Sequence, residues 1–583
     1  MKICIILLAV LLVGLAAFAP VLAATSSTPE IPFDGEVPLW PNVRPVLILS
    51  GSDYEIGYQW YQQLVQVFGK WILEDMQGDL AEPFTEEELK ALATTEEYLK
   101  KYTPEMIDMY KGMADGGTDA GVKLTYNQVL AQFSGIKSFP GLTHESVWQQ
   151  GKSDGCSGIA VWGKATTDGK LVCSSSQNTT LEWDITALVL PETGNSFIIS
   201  PYSPLGCLST SFSRPKLGAP GMNNKGLVYV REPDITSIPE AEWSLGLTEN
   251  AAVLHALRFA DDAKQAQDMI LSFECGDGLM GGTWADIHGN AWCLESRENP
   301  KVIRKSGDYG ENDFIWFTNN ALSYEAGEFR DDARAGTIYV RHAGWMGPGT
   351  SGLSNISRNL HIWNMLNYYN GSVNFEFIKM MYRFAGEPDP AQSPIVEMDR
   401  GEDAPKAYEM FNTVKLLKNV ADWHNGVVVV MLPDELEYYV CNGTPRTQTI
   451  SNPYAVDPLH SFVQLKLEDS PSKITTAAKN QAAYELTRGE KALRNLGYSD
   501  AAYKVLKERF DQATIGWFNG VYYTKLASRT KGNESLYNWS KALRGYVACQ
   551  TYAQNVYESI VPPPQSPEDL GLKPWGYWLK ITK

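Results

Sequence analysis

The chain has 583 residues, 44% of them hydrophobic, and a formal net charge of -18 from 50 basic and 68 acidic side chains. That length exceeds what one compact core normally holds. The acidic balance, with no block of Lys or Arg, argues against nucleic acid or an anionic membrane surface as a partner.

Residues 1–23 read as a secretory signal. Lys2 supplies a basic start, an apolar run from Ile5 to Ala17 follows, and Val21-Leu22-Ala23 offers a cleavage site. The run is too short and too rich in Ala and Gly to favour a membrane span. The expectation is an exported chain of roughly 560 residues with no membrane span after signal removal. An apolar run at 46–49 then leads through Gly51-Ser52-Asp53-Tyr54-Glu55-Ile56-Gly57-Tyr58-Gln59 into a helix. Trp60, Leu64, Phe68 and Trp71 recur there at helical spacing, as a core stripe would. Further helix starts are marked by Thr85 with Glu88, by Thr125 with Gln128, and by Thr103-Pro104.

The stretch Asp154-Gly155-Cys156-Ser157-Gly158 comes next, running into apolar residues up to Trp162. After Thr167-Asp168-Gly169 a second strand-like run extends from Lys170 to Ser176. Asp-Gly between two such runs predicts a hairpin. Cys156 would then stand at the first position of a hairpin strand, with glycine behind it. It is either a structural cysteine or a nucleophile freed when the chain cuts itself.

Downstream, strands are expected at 187–190, 196–200, 283–287, 291–295 and 314–317, the last ending in Thr318-Asn319-Asn320. Residues 221–228 read as a turn entering a strand. A helix is expected over 250–273, with Leu254, Leu257, Ala260 and Ala263 on one face, and 357–383 should be helical in two parts. A late hairpin joins 427–432 to 436–441 through Pro433-Asp434-Glu435. Past Pro453 the period becomes helical. Residues 472–560 read as an added module with Leu486, Leu493, Leu496, Tyr503, Leu506 and Phe510 at bundle positions, ended by Pro562-Pro563-Pro564.

Of eight cysteines, Cys4 leaves with the signal. With Cys156 as a nucleophile, Cys173, Cys207, Cys275, Cys293, Cys441 and Cys549 remain and allow up to three disulfides in an oxidising compartment. No CxxC or HExxH spacing occurs and the seven histidines are scattered, so neither a metal nor another cofactor is expected. Asn178, Asn355, Asn370, Asn442, Asn533 and Asn538 are glycan acceptors by sequence, which would place glycosylated ones on the surface.

These stretches resemble the penicillin acyltransferase-like (isopenicillin-N acyltransferase) peptidases, a group of N-terminal-nucleophile (Ntn) hydrolases. More distantly, they resemble choloylglycine hydrolases and phospholipase B-like proteins. Gly51 to Gln59 is similar to the family's first helix start, Asp154-Gly155-Cys156 to its self-cleavage site, and Gly221 to Leu227 to its "GMNxKGL" turn. Thr318-Asn319-Asn320 resembles its oxyanion segment, with Asp286 to Glu295 before it, and Gly443-Thr444-Pro445 resembles its closing strand. The resemblance implies an α+β fold, a four-layer αββα Ntn-hydrolase sandwich, to which the C-terminal helical module is added. The domains would be 1–23 (signal), 24–155 (an N-terminal segment that self-cleavage separates but leaves associated), 156–453 (catalytic core) and 454–583 (helical extension).

In the mechanism so implied, the Cys156 thiol attacks the Gly155 carbonyl, and the freed α-amine then serves as base for the thiol. Asn319 would donate to the oxyanion. The family's acidic residue near the nucleophile is absent here, and Asn178 or Ser176 stands in its place. The substrate expected is a small N-acyl amide or peptide-like molecule, hydrolysed or passed to an acceptor amine. The other readings are a phospholipase B-like lipid acyl hydrolase and a non-catalytic exported binding protein on the same scaffold.

Overall fold

The computed structural model describes residues 43–80, 83–134, 157–178, 185–201, 220–230, 246–247, 249–274, 282–294, 303–308, 311–318, 362–363, 365–383, 425–442, 461–496 and 502–574. Strand β1 (Val46–Gly51) turns into helix α1 (Asp53–Phe68) at Ser52, whose side chain and that of Glu55 cap each other's backbone. Helices α2 (Trp71–Asp79), α3 (Glu86–Tyr102), α4 (Glu105–Asp119) and α5 (Tyr126–Ser134) follow. The expected capping pairs form. Thr85 and Glu88 cap α3 reciprocally, and Thr125 and Gln128 exchange bonds of 2.9 and 3.2 Å before α5.

Helices α1 and α4 cross at backbone contact. A Cβ on Gly57 would lie 1.9 Å from the Met109 carbonyl oxygen. One on Gly112 would lie 2.0 Å from that of Tyr54, and one on Gly116 2.3 Å from that of Tyr58. Only glycine permits that approach.

The predicted central hairpin is present as β2 (Ser157–Gly163) and β3 (Gly169–Asn178). Next come β4 (Thr186–Pro191), β5 (Phe197–Ile199), β6 (Gly221–Asn223) and β7 (Leu227–Val230). Two helices, α6 (Glu249–Phe259) and α7 (Ala263–Ser272), stand where one was expected. Asp262 breaks the run by accepting from the Gln265 amide at 2.7 Å, so it starts a new helix rather than extending the old one. Strands β8 (Gly282–Asp286), β9 (Ala291–Leu294), β10 (Ile303–Lys305) and β11 (Phe314–Phe317) precede helix α8 (Phe375–Met381). The chain then forms β12 (Asn425–Leu432), β13 (Glu437–Asn442), β14 (Phe462–Lys466), α9 (Pro471–Leu496), α10 (Tyr503–Ala527) and α11 (Gly532–Ile560).

The architecture is mixed α+β, with two sheets among the described residues. The first runs β1-β4-β5-β6-β7-β8-β9-β10 and the second β11-β2-β3-β12-β13-β14. Among the described strand pairs of these sheets, only β1–β4 is parallel. Strand alternation divides the core into faces. Leu47, Leu49, Val189, Tyr229 and Trp284 of the first sheet pack with helices α1 to α7. Val46, Ile48, Leu188 and Val228, on its other face, share a cluster with Ala160, Cys173, Ile315 and Val429 of the second sheet. Ile159, Val161, Trp316 and Val430 pack on the far side with Met365, Phe377 and Tyr382.

Strand β14 lies beyond Pro453, inside the segment expected to be a helical extension, yet it is the terminal strand of the second sheet. Helix α11 covers both β14 and β1. The Ile48 N–H donates to Ser540 Oγ at 2.9 Å, and the Ile48 carbonyl accepts from Ser540 Oγ at 3.3 Å and Gln63 Nε2 at 2.8 Å. Gln59 bonds both the N–H and the carbonyl of Ser50, each at 2.8 Å. On the other sheet the Gln464 N–H donates to Gln550 Oε1 at 3.0 Å. Side chains thus serve an edge that would otherwise expose a row of unpaired backbone groups. The helices also share Leu493, Leu506 and Val556 among themselves, with Leu496, Tyr503 and Phe510 against them as the spacing predicted.

One expectation is corrected and another is narrowed. Cys173, Cys293, Cys441 and Cys549 are buried thiols, not disulfides, so three bridges cannot form; burial pushes the Cys441 and Cys549 thiols up to about 12. The acceptor Asn538 is 5% exposed and donates to Thr530 Oγ1 at 3.2 Å, which leaves no room for a glycan.

The α1–α4 crossing makes a sharp prediction. Gly57→Ala should destabilise the protein by about 2–3 kcal/mol or more through forced overpacking. Gly78→Ala, in α2 with nothing within 4 Å of the added carbon, should be neutral or stabilising by up to about 1 kcal/mol. Denaturant melts of the two variants check both.

Candidate active site

The start of β2, the end of β3, the end of β11 and the start of β12 meet at one end of the second sheet. Ser157 is the register partner of Ser176, Gly158 lies between Ser175 and Phe317, and Asn178 pairs with Asn425 across a register shift. The side chains of Ser157, Ser175, Ser176 and Thr318 are all buried. This end is therefore walled by glycine, serine and threonine, whereas apolar residues fill the middle of the same strands.

Gly155, Cys156 and Asn319 lie outside the described residues. Cys156 is covalently joined to Ser157, the first residue of β2, and Asn319 to Thr318, the residue after β11. Asn178 is the last residue of β3. The topology thus brings the chain positions that flank or carry all three expected catalytic residues to one end of one sheet, although they are far apart in sequence.

The frame around this end is polar and bonded. The Ser174 and Tyr382 hydroxyls are 3.0 Å apart, tying β3 to the helical layer outside it. At the opposite end of β2, Asp313 takes a positive φ of 60°; its carbonyl accepts from the Trp162 N–H at 2.9 Å and its carboxylate from the Lys164 N–H at 2.8 Å. These bonds hold the irregularity at Val161/Gly163, where β2 leaves β3. Arg304 of β10 is 1% exposed. Its guanidinium bonds the buried Glu311 carboxylate at 2.8 Å, reaches the Trp316 carbonyl, and lies 4.9 Å from the Trp316 ring. Arg304 therefore ties the last strand of the first sheet to Glu311, ahead of β11, and to β11 itself, the strand that leads to Asn319. No sequence pattern marked Arg304 or Glu311, because a single Arg in a short strand carries no local signal.

Other parts of the family-like motifs hold structure. Gly51, Glu55, Gly57 and Gln59 serve a tight turn at φ 118°, a helix cap, the α1–α4 crossing and the β1 edge respectively. Asn223 closes the β6–β7 turn, accepting from the Lys225 and Leu227 amides while donating to the Leu257 and Ala260 carbonyls, in keeping with its reading as a turn residue. Asp286 accepts from the Ala263, His288 and Asn290 amides, capping α7 and closing the β8–β9 turn together. Gly443-Thr444-Pro445 lies outside the described residues. Among the described residues, no group of three or more His, Cys, Asp or Glu could hold a metal ion, and no helix is long and apolar enough to cross a membrane.

The ion pair predicts its own test. Glu311→Gln, which removes the negative charge from beside the buried Arg304 guanidinium, should cost about 3–5 kcal/mol. Replacing both residues with apolar ones (Arg304→Met with Glu311→Leu) should cost less than the single change. Denaturant unfolding of the single and double variants measures the difference.

No family model matches the chain. An uncharacterized protein of Archaeoglobus fulgidus is 30% identical over 148 residues, 23% of this chain; the chain spans 24% of that curated relative's length. Among solved structures, the chain is similar to penicillin V acylase from Agrobacterium tumefaciens, with a TM-score of 0.28 and 12% identity over 54% of this chain and 86% of that one. It is also similar to a mutant of conjugated bile acid hydrolase from Clostridium perfringens, with a TM-score of 0.26 and 11% identity over 54% of this chain and 98% of that one.

Proposed function

We propose that the chain is a cysteine Ntn hydrolase, which cuts its own Gly155–Cys156 bond and then hydrolyses the amide bond of a small N-acyl amide. One observation carries this reading. The Gly-Cys pair directly precedes the buried start of β2, an interior strand, at the end of the sheet where β3, β11 and β12 also terminate or begin. The order of the core clusters, helices on the first sheet, sheet on sheet, and helices outside the second, supports an αββα sandwich around it.

The chemistry would run as follows. The Cys156 sulfur adds to the Gly155 carbonyl carbon, the C–N bond breaks, and the acyl group passes to sulfur while nitrogen takes the proton. Water opens the thioester, leaving a Gly155 carboxylate and a Cys156 that bears both a thiol and an α-amine. Such an amine titrates near pH 8, so a useful fraction is neutral near neutrality and can take the thiol proton. In turnover the thiolate adds to the substrate carbonyl, the Asn319 side-chain amide donates to the oxyanion, and the α-amine returns its proton to the leaving amine. Water then releases the acid. Asn178 would orient the α-amine. With export through the signal at 1–23, water would be the abundant acceptor, which favours hydrolysis over acyl transfer. The β1–β4 pair and the first core cluster join residues from both sides of the cut, so the fragments would stay together.

Purified protein should contain a fragment that begins at Cys156 by N-terminal sequencing, and Cys156→Ala should remain one chain. Cleavage of that variant at the same bond would assign the cut to another protease. A panel of N-acyl amides read by amine release should show turnover that thiol alkylation abolishes. The high thiol pKa of buried Cys441 and Cys549 keeps those two from accounting for the loss.

Asn319→Ala should lower kcat roughly a hundred- to thousandfold with little change in KM, the signature of a donor used in the transition state. Asn320→Ala should be much milder. The reverse ranking would move the oxyanion donor by one residue.

A further inference from the structure

Helices α10 and α11 touch at backbone distance where Gly520 meets Gly545: a Cβ on Gly545 would lie 2.5 Å from the Gly520 nitrogen. The residues just before these two glycines are Asn519 and Arg544. The Tyr546 ring fills one flank of the contact, 2.5 Å from where a Cβ on Gly520 would stand. Helical spacing sets Asn519 and Tyr523 on the other flank of α10, one turn apart, and Lys541 and Arg544 on the matching flank of α11. The Lys541 Nζ is 5.4 Å from the centre of the Tyr523 ring.

Arg544 is 7% exposed and Asn519 2%. Neither Nη1 of Arg544 nor Nδ2 of Asn519 has a hydrogen-bond partner. No carboxylate acts on Arg544 among the described residues, and burial pulls its guanidinium down to about 10. Burial also lowers the half-buried Lys541 ammonium, and the Arg544 charge lowers it further. A charge buried this deeply is costly unless something of opposite sign joins it. We propose that the cleft on this flank binds a small tetrahedral dianion, sulfate or inorganic phosphate, to which Arg544 and Asn519 donate while Lys541 adds a second positive charge at the rim. A guanidinium fork matches two oxygens of one such anion, and two neighbouring cations select a dianion over a carboxylate. The depth of Arg544 favours a free ion over a phosphoryl group carried on a larger molecule.

Isothermal titration calorimetry of the full-length protein, dialysed into chloride buffer, should show one saturable site per chain for sulfate and for inorganic phosphate. Added chloride at matched ionic strength should give none, and phenyl phosphate should bind much more weakly. Arg544→Met should abolish the binding heat. It should also raise the unfolding midpoint of the anion-free protein, because a lone buried charge is gone. Lys541→Gln, at the rim, should weaken binding about tenfold or more. A wild-type protein with no saturable heat would overturn the proposal, as would binding that survives Arg544→Met. Phenyl phosphate bound as tightly as phosphate would overturn the assignment to a free ion.

Discussion

The Ser540 hydroxyl, bonded to both backbone polar groups of Ile48, expresses the constraint on which this structure rests. Two twisted sheets packed face to face leave their terminal strands with unpaired N–H and C=O groups, and each such group left unsatisfied in a buried place costs about 1–3 kcal/mol. Here β1 and β14 are both terminal, and one helix, α11, covers them. Gln59 and Gln63 add amide side chains where a neighbouring strand would have supplied backbone. At the other margin Arg304 reaches from β10 to the Trp316 carbonyl of β11. Side chains from other elements thus bond both margins of the two packed sheets.

With the margins held, the strands between them cannot slide. A one-residue slip of β2 would exchange Ile159 and Val161 for Gly158 and Ala160 on the helical side, burying the wrong set on each face. The start of β2 is therefore fixed relative to the ends of β3 and β11. A site built from residues so distant in sequence needs such a frame, since small errors in placement cost large factors in rate.

What could be read in the sequence follows from how local each signal is. The β2–β3 hairpin, the strand Phe314–Phe317 and the caps at Thr85 and Thr125 were legible because turn residues and capping pairs act within a few positions. The α6–α7 break depended on one Asp in a run of good helix period. Strand β14 was hidden by five residues with no turn signal of their own, adjoining a long helical pattern. The Ser540–Ile48 bond spans 492 positions, and nothing at either end announces it. The same holds for burial of Asn538, where a matching acceptor triplet says nothing about the helix that packs over it. The Gly51 to Gln59 stretch was legible as a motif, but its residues turned out to serve a turn, a cap, a helix crossing and an edge. Of the expected catalytic residues, only the strand position of Asn178 lies within the described residues.

The parallel pairing of β1 with β4 has a consequence for how the molecule behaves once disrupted. Parallel neighbours require a long crossover, and here the crossover between them contains the Gly155–Cys156 bond. In an intact chain that connection makes re-pairing of β1 and β4 unimolecular and independent of dilution. A chain cut at that bond loses the tether while keeping every contact of the folded state. Its native form would persist by the height of its unfolding barrier, and recovery after denaturation would become a second-order encounter between two fragments. Maturation would then set a direction in the folding history of the protein: assembly through one chain, with no equally easy way back.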